Sequence, residues 1–295
     1  MSAKTIAIIE AIFAVTSWGA SFVATKVALR YISPVSVVWI RFAMGVIIIG
    51  LVVFIRGQFL FPSKRDLGYF ALVGFIGITF HQWLQSTGLQ TAQASTTSWI
   101  VATTPIFMAL AAWIFLKERL FYWQWFGIFL AACGVLMVVS RGSLRSIALG
   151  EFGTIGDTLI LISAINWAVF SMLSKKGLSE HPPTRMMFYV MLFGWLFTSV
   201  FFLKDKGFLE LENIAIDGWI GLTFLGVFCS GLAYIFWYNA LKTLQMAQTG
   251  AFVYFEPFVT LVVASIVLGE VIALGSILGG AAILLGVWTV NRVRI

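Results

Sequence analysis

In a chain this apolar, the polar side chains stranded inside hydrophobic stretches are the ones able to do chemistry. His81 and Gln85 lie four residues apart on one helical face, with Gln82 beside them. Trp18, Ser21 and Thr25 line up on a second face, and Thr96, Trp99 and Thr103 on a third. Asn166 and Trp167 are adjacent, and Tyr234, Trp237 and Tyr238 cluster late in another apolar stretch. At membrane mid-depth such side chains are costly unless they face protein or water, so they mark an interior path. Flat aromatic surface combined with hydrogen-bonding groups suits a small molecule with a bulky apolar part and a polar end. Each of Trp18, Trp99 and Trp167 serves equally well as filler between helices, whereas Trp123, Trp125, Trp219 and Trp288 near segment ends read as interfacial anchors. A lone histidine is usually a packing residue. Three polar side chains within a turn exceed what packing needs, so His81 and Gln85 are expected to contact substrate, with proton relay by His81 the weaker alternative.

Glu256 precedes Pro257 inside an apolar stretch, where an ionised carboxylate must be paired, protonated, wet or bound to a cation. It is the candidate for ion or cation coupling, and satisfaction by neighbouring helix groups is the alternative. Pro105 and Pro257 each remove a backbone hydrogen bond, freeing the carbonyls of Val101 and Val253, and symmetric kinks of this kind suit hinges. Glu118 and Glu270 are expected to tie helix ends to loop backbone. No catalytic constellation is found: Phe228-Cys229-Ser230-Gly231 lacks the leading glycine of an intramembrane serine protease, and Gly153-Thr154-Ile155-Gly156-Asp157 has one residue too many for a paired-aspartate protease. Cys133 and Cys229 read as small packing residues, and no metal or cofactor is expected.

The elements that must position these residues are legible from composition. With 60% hydrophobic, 16% aromatic and 11% charged residues in 295, there is too little polar surface to wrap a soluble domain. Ten apolar stretches long enough to cross a bilayer are predicted, at 6–29, 33–55, 67–89, 93–116, 121–140, 155–174, 184–203, 216–241, 247–268 and 272–291. The net charge of +7 is not a nucleic-acid signal, because the basic residues sort by turnaround. Lys64, Arg65, Lys175, Lys176 and Arg185 belong to the richer side, which also holds both termini, so the termini are expected in the cytoplasm. Arg41 stays unassigned.

The chain also repeats itself. Leu89, Gly74, Pro105, Glu118, Gly127, Gly134 and Val135 recur as the same type 152 positions later, at Leu241, Gly226, Pro257, Glu270, Gly279, Gly286 and Val287. Five segments per half make the second half enter the membrane from the opposite side. The expected fold is an all-α membrane protein of ten transmembrane helices built from two inverted five-helix repeats, 1–141 and 154–295, joined by a linker at 142–153. Gly127, Gly134, Gly279 and Gly286, with Gly275-Ser276-Ile277-Leu278-Gly279, read as close helix contacts, within the chain or in a homodimer.

The run Phe115-Leu116-Lys117-Glu118-Arg119-Leu120 with Gly127 and Gly134, and its second copy Leu268-Gly269-Glu270-Val271 with Gly279 and Gly286, resembles the EamA repeat of the drug/metabolite transporter superfamily. Lys117 departs from the glycine usual before the glutamate, which Gly269 keeps. The resemblance implies a ten-helix carrier of small metabolites, and the aromatic loading is similar to the bacterial aromatic-amino-acid exporter branch (YddG-like). The expected activity is secondary transport in a bacterial cytoplasmic (inner) membrane, since no Walker A run exists. Basic residues cluster near segment ends, which argues against phosphorylated cargo and for a neutral or zwitterionic one, a bulky amino acid. The alternative is a proton-coupled multidrug exporter of lipophilic cations using Glu10 or Glu256. Trp18, His81, Gln85, Trp99, Asn166, Trp167 and Tyr238 are the expected binding residues; the expected partners are that small molecule and the lipid bilayer.

Overall fold

A computed structural model describes residues 2–116, 120–143, 153–244 and 252–291, and every regular element among them is helical. Glu118 and most of the linker lie outside the described residues. The first half comprises α1 (Ala3–Ala28), α2 (Pro34–Ile55), α3 (Lys64–Gly88), α4 (Ala94–Val101), α5 (Thr104–Leu116) and α6 (Tyr122–Val139). The second comprises α7 (Ile155–Glu180), α8 (Pro183–Lys204), α9 (Ile216–Thr223 running through Phe224–Leu232 into Ala233–Thr243), α10 (Glu256–Leu268) and α11 (Leu274–Asn291). Helix starts are written in local chemistry. Ser63 and Asp66 form a capping box on α3, as Thr154 and Asp157 do on α7, and proline opens α2 and α8 where its missing N–H is harmless.

Eight helices are long and apolar enough to cross a membrane, with Ala94–Ala111 counted as one, and Val253–Leu268 and Leu274–Val290 are shorter apolar helices. The exterior is apolar as well: Ile47 is 70% exposed, Phe129 66% and Ile266 78%, a surface suited to lipid.

The helices pair in a way that survives exchanging the halves. α1 packs on α9 and α10, while α7 packs on α3, α4 and α5; α2 packs on α9, while α8 packs on α3. The remaining large contacts, α2 with α8 and α6 with α11, join corresponding helices. Both of those pairs are antiparallel. Arg56 Nη1 donates to Thr184 Oγ1 (3.4 Å) near one end of the first pair, and Trp39 Nε1 donates to Ser199 Oγ (2.8 Å) toward the other. In the second pair Gly127 meets Gly286 and Gly134 meets Gly279, so closely that a Cβ on Gly134 would stand 2.6 Å from the Gly279 carbonyl oxygen. The glycines that might have served a homodimer are thus used inside the chain.

The proline expectation needs correction. Pro105 and Pro257 do not kink continuous helices; each is the second residue of a new one, after a break at Ala102–Thr103 and a 3-10 turn at Val253–Phe255. The freed carbonyls are not idle. Thr104 Oγ1 donates to Val101 O (2.7 Å), and the Glu256 N–H turns back to Val253 O. At the other end of α10, Gly269 adopts φ 64° and closes the helix in the left-handed conformation that suits glycine. Glu270 then accepts from the Ala94 N–H (2.9 Å), the Ser95 N–H (3.1 Å) and Ser95 Oγ (2.7 Å), capping α4. Between α1 and α2, Tyr31 donates to Asp217 Oδ1 (2.7 Å), which holds its phenol above the ordinary value.

Three outcomes follow for stability in detergent. Gly134→Leu should force α6 and α11 apart and cost about 1–3 kcal/mol or more, read as a lower unfolding temperature. Gly68→Ala, at a helical position where an added Cβ meets nothing within 4 Å, should be neutral or stabilising. Glu270→Ala strands the α4 N-terminus and should cost about 1–2 kcal/mol; an unchanged unfolding temperature would remove its capping role.

Candidate functional site

Two helices widen into π-helical turns, at Phe75–Phe80 in α3 and Phe224–Leu232 in α9. The repeat offset carries the first onto residues 227–232, within the second. Such turns shift the backbone ladder and are frequent where a helix builds a site. A donor from the opposite half reaches each one: Trp18 Nε1 donates to Cys229 O (3.1 Å), and Asn166 Nδ2 donates to Ile76 O (2.8 Å). Trp18 and Asn166 thereby hold the two halves together at their centre.

Between these turns lies a residue that spacing left unassigned. Arg41 is only 5% exposed, seven residues into α2, roughly 10 Å along it. Its Nε donates to Ser230 Oγ (3.0 Å) and its Nη1 to Gln82 Oε1 (3.2 Å), so it joins α2 to the π turn of α9 and to the residue just after the π turn of α3. No carboxylate pairs with it among the described residues. The expectation that basic groups keep to segment ends therefore fails at Arg41, and with it the main argument against negatively charged cargo. The signal was available: Arg41 is the only charged residue in α2.

Aromatic side chains wall this centre. Trp18 packs on Tyr234 (5.5 Å between centroids) and Trp237 (5.3 Å), and Trp167 packs on His81 (4.8 Å) and Phe170 (5.0 Å). Trp18, Trp167, Tyr234 and Tyr238 belong to one apolar cluster. Tyr234 and Tyr238 also line a crevice with Ile49, Thr184, Met187 and Ile235, too narrow for a water molecule.

The other expected residues divide. His81 is buried with Nδ1 3.2 Å from Ser163 O, and sits beside the Arg41 network through its neighbour Gln82. Gln85 is half-buried and makes no side-chain hydrogen bond among the described residues; Gln82 is the glutamine that joins the network. Trp99 lies elsewhere. It packs over Gly280 of α11 and on Phe258 (6.0 Å), in the cluster that joins α4 to α6 and α11, because the α4 face carrying it turns outward from the centre. Its buried indole N–H has no partner among the described residues.

Glu256 is 7% exposed and shares the buried face of α10 with Thr260 and Ala264. Thr260 Oγ1 donates to Gly19 O (2.7 Å), and the Glu256 carbonyl closes on Gly19, where a Cβ would be 2.8 Å away. Two residues earlier, Ser17 O accepts from Cys229 Sγ (3.2 Å), next to the serine that holds Arg41. Residues 17–19 of α1 thus bring Glu256 and Arg41 to one level of the bundle. Glu10 differs, since its carboxylate accepts from Asn239 Nδ2 (3.0 Å). Away from the centre, Asp66, Glu180 and His181 have ligand atoms within 4.8 Å of one another beside a cleft of about 130 Å³. Arg185 Nη2 at 3.4 Å from His181 Nδ1 places a competing cation there.

The chain resembles known proteins along most of its length. Residues 5–140 and 154–292 each match the EamA-like transporter family. The uncharacterized transporter YyaM of Bacillus subtilis is 28% identical over 93% of this chain and 90% of its own. A protein of Streptantibioticus cattleyicolor named "Probable terminal-alkyne amino-acid exporter" is 30% identical over 78% of this chain and 75% of its own. A crystal structure of a protein sharing 16% identity has the same fold, with a TM-score of 0.66 over 99% of this chain and 100% of that one. Two matched repeats, an all-helical apolar bundle and full-length relatives that are transporters agree: the chain is a multi-pass membrane protein of the EamA-like transporter family.

Proposed function

We propose that this protein is a secondary transporter that exports small zwitterionic metabolites, above all aromatic and other bulky amino acids, across a bacterial cytoplasmic membrane. The observation that carries this reading is the buried centre, where Arg41, Gln82, His81 and Ser230 are enclosed by Trp18, Trp167, Tyr234 and Trp237 between the two halves. Such a centre offers charge-assisted hydrogen bonds at one end and flat apolar surface beside them. The amino-acid exporter named among the relatives supports this cargo. The eight long helices and two shorter apolar ones make ten crossings, and the antiparallel pairing of corresponding helices supports inverted halves with both termini cytoplasmic.

Transport proceeds by rocking of the halves about this centre. The breaks ahead of Pro105 and Pro257 are the hinges, because hydroxyl and 3-10 contacts there replace the regular backbone ladder and can exchange at low cost. Export of lipophilic cations is the competing reading, favoured by the unpartnered carboxylate of Glu256. Arg41 opposes it: a second positive charge brought into the same low-dielectric centre is repelled, whereas a zwitterion brings its own counter-charge.

Counterflow in proteoliposomes tests the proposal. Internal phenylalanine or tryptophan should drive uptake of labelled external phenylalanine. Trp18→Ala and Trp167→Ala should each lower the rate about tenfold, the equivalent of roughly 1.4 kcal/mol, in protein that stays monodisperse. Exchange of a quaternary ammonium dye but of no amino acid would overturn the reading in favour of cation export.

A further inference from the structure

Among the described residues, Arg41 and Glu256 are buried inside the bundle without an ionic partner, and their charges are opposite. A guanidinium has five N–H donors. Those of Arg41 that donate to Ser230 and Gln82 are accounted for, and the others have no partner among the described residues. The Glu256 carboxylate makes neither a hydrogen bond nor an ion pair among the described residues, although the side chain is 7% exposed. Isolated buried charges are unfavourable and persist where a partner supplies the counter-charge. These two do not supply it to each other, since no ion pair joins them.

Neither charge is demanded by the scaffold. At the repeat offset, Arg41 corresponds to Phe193 and Glu256 to Thr104, so each half carries one charge that the other half does without. Both nonetheless reach the same level of the bundle through residues 17–19 of α1. α2 packs on α9, α9 on α1 and α1 on α10, so the two charges stand on elements joined through α1.

Resting on the amino-acid reading above, we propose that Arg41 and Glu256 are the two poles of the substrate site. Arg41 takes the α-carboxylate through its remaining N–H groups, and Glu256 takes the α-ammonium. Trp18, on α1 between them, faces the side chain. The cargo is recognised by its two charges first and by its side chain second, so compounds that keep the ring but lose one charge are rejected.

The test is competition against phenylalanine counterflow by phenethylamine, which lacks the carboxylate, and by 3-phenylpropionate, which lacks the ammonium. In the parent protein each should compete at least tenfold more weakly than phenylalanine. Arg41→Gln should weaken phenylalanine at least tenfold and spare phenethylamine; Glu256→Gln should weaken phenylalanine and spare 3-phenylpropionate. Arg41→Lys, which keeps the charge, should recover part of the loss, and size-exclusion profiles exclude misfolding. Equal losses for all three compounds, or none for phenylalanine, would overturn the two-pole assignment while leaving amino-acid transport standing. A parent protein that exchanges no amino acid would overturn both.

Discussion

Inside a bilayer every backbone polar group needs a partner from the protein, and the centre of this bundle is organised by that requirement. The π turns of α3 and α9 offer carbonyls out of the regular ladder, and each is met by a side chain from the other half, Asn166 in one case and Trp18 in the other. The same two turns set the places of Ser230 and of Gln82, and so hold Arg41. Loss of either cross-half bond would loosen the turn on which the guanidinium depends, and the Ile76 carbonyl would keep only its bond from the His81 N–H. The site and the scaffold are therefore one network.

The two repeats are alike where they pack and unlike where they carry charge. Gly127 and Gly134 recur as Gly279 and Gly286, and the helices bearing them approach one another closely. Arg41, His81 and Glu256 recur as Phe193, Ala233 and Thr104. A symmetric scaffold positions the level at which the halves meet, and asymmetric substitutions at that level supply the chemistry. Charge at that level can then change without disturbing the glycine contacts of the seam.

Much of this was legible in residue spacing. Apolar runs located the helices within a few residues, because bilayer thickness dictates their length, and the 152-residue offset exposed the corresponding helices. Trp18, His81 and Trp167 were legible because polar and aromatic groups at mid-helix need a reason. Trp99 satisfied the same criterion and packs over Gly280, since spacing along one helix does not say which neighbour a face meets. Arg41 was passed over because its partners, Gln82 and Ser230, are 41 and 189 residues away in sequence. Spacing alone gives kinks at Pro105 and Pro257, because it does not show that the hydroxyls of Thr103 and Thr104 turn back to the Ile100 and Val101 carbonyls or that a 3-10 turn precedes Pro257.

The α6–α11 seam is self-complementary: each helix presents two glycines seven residues apart, and each glycine meets the non-corresponding one of the other helix. Two identical copies of one half could make the same antiparallel contact with each other. Joining the two copies in one polypeptide guarantees equal numbers of each, and it releases each copy from having to serve as its own mate. That release is what allows a guanidinium to arise on one side of the midline and a carboxylate on the other.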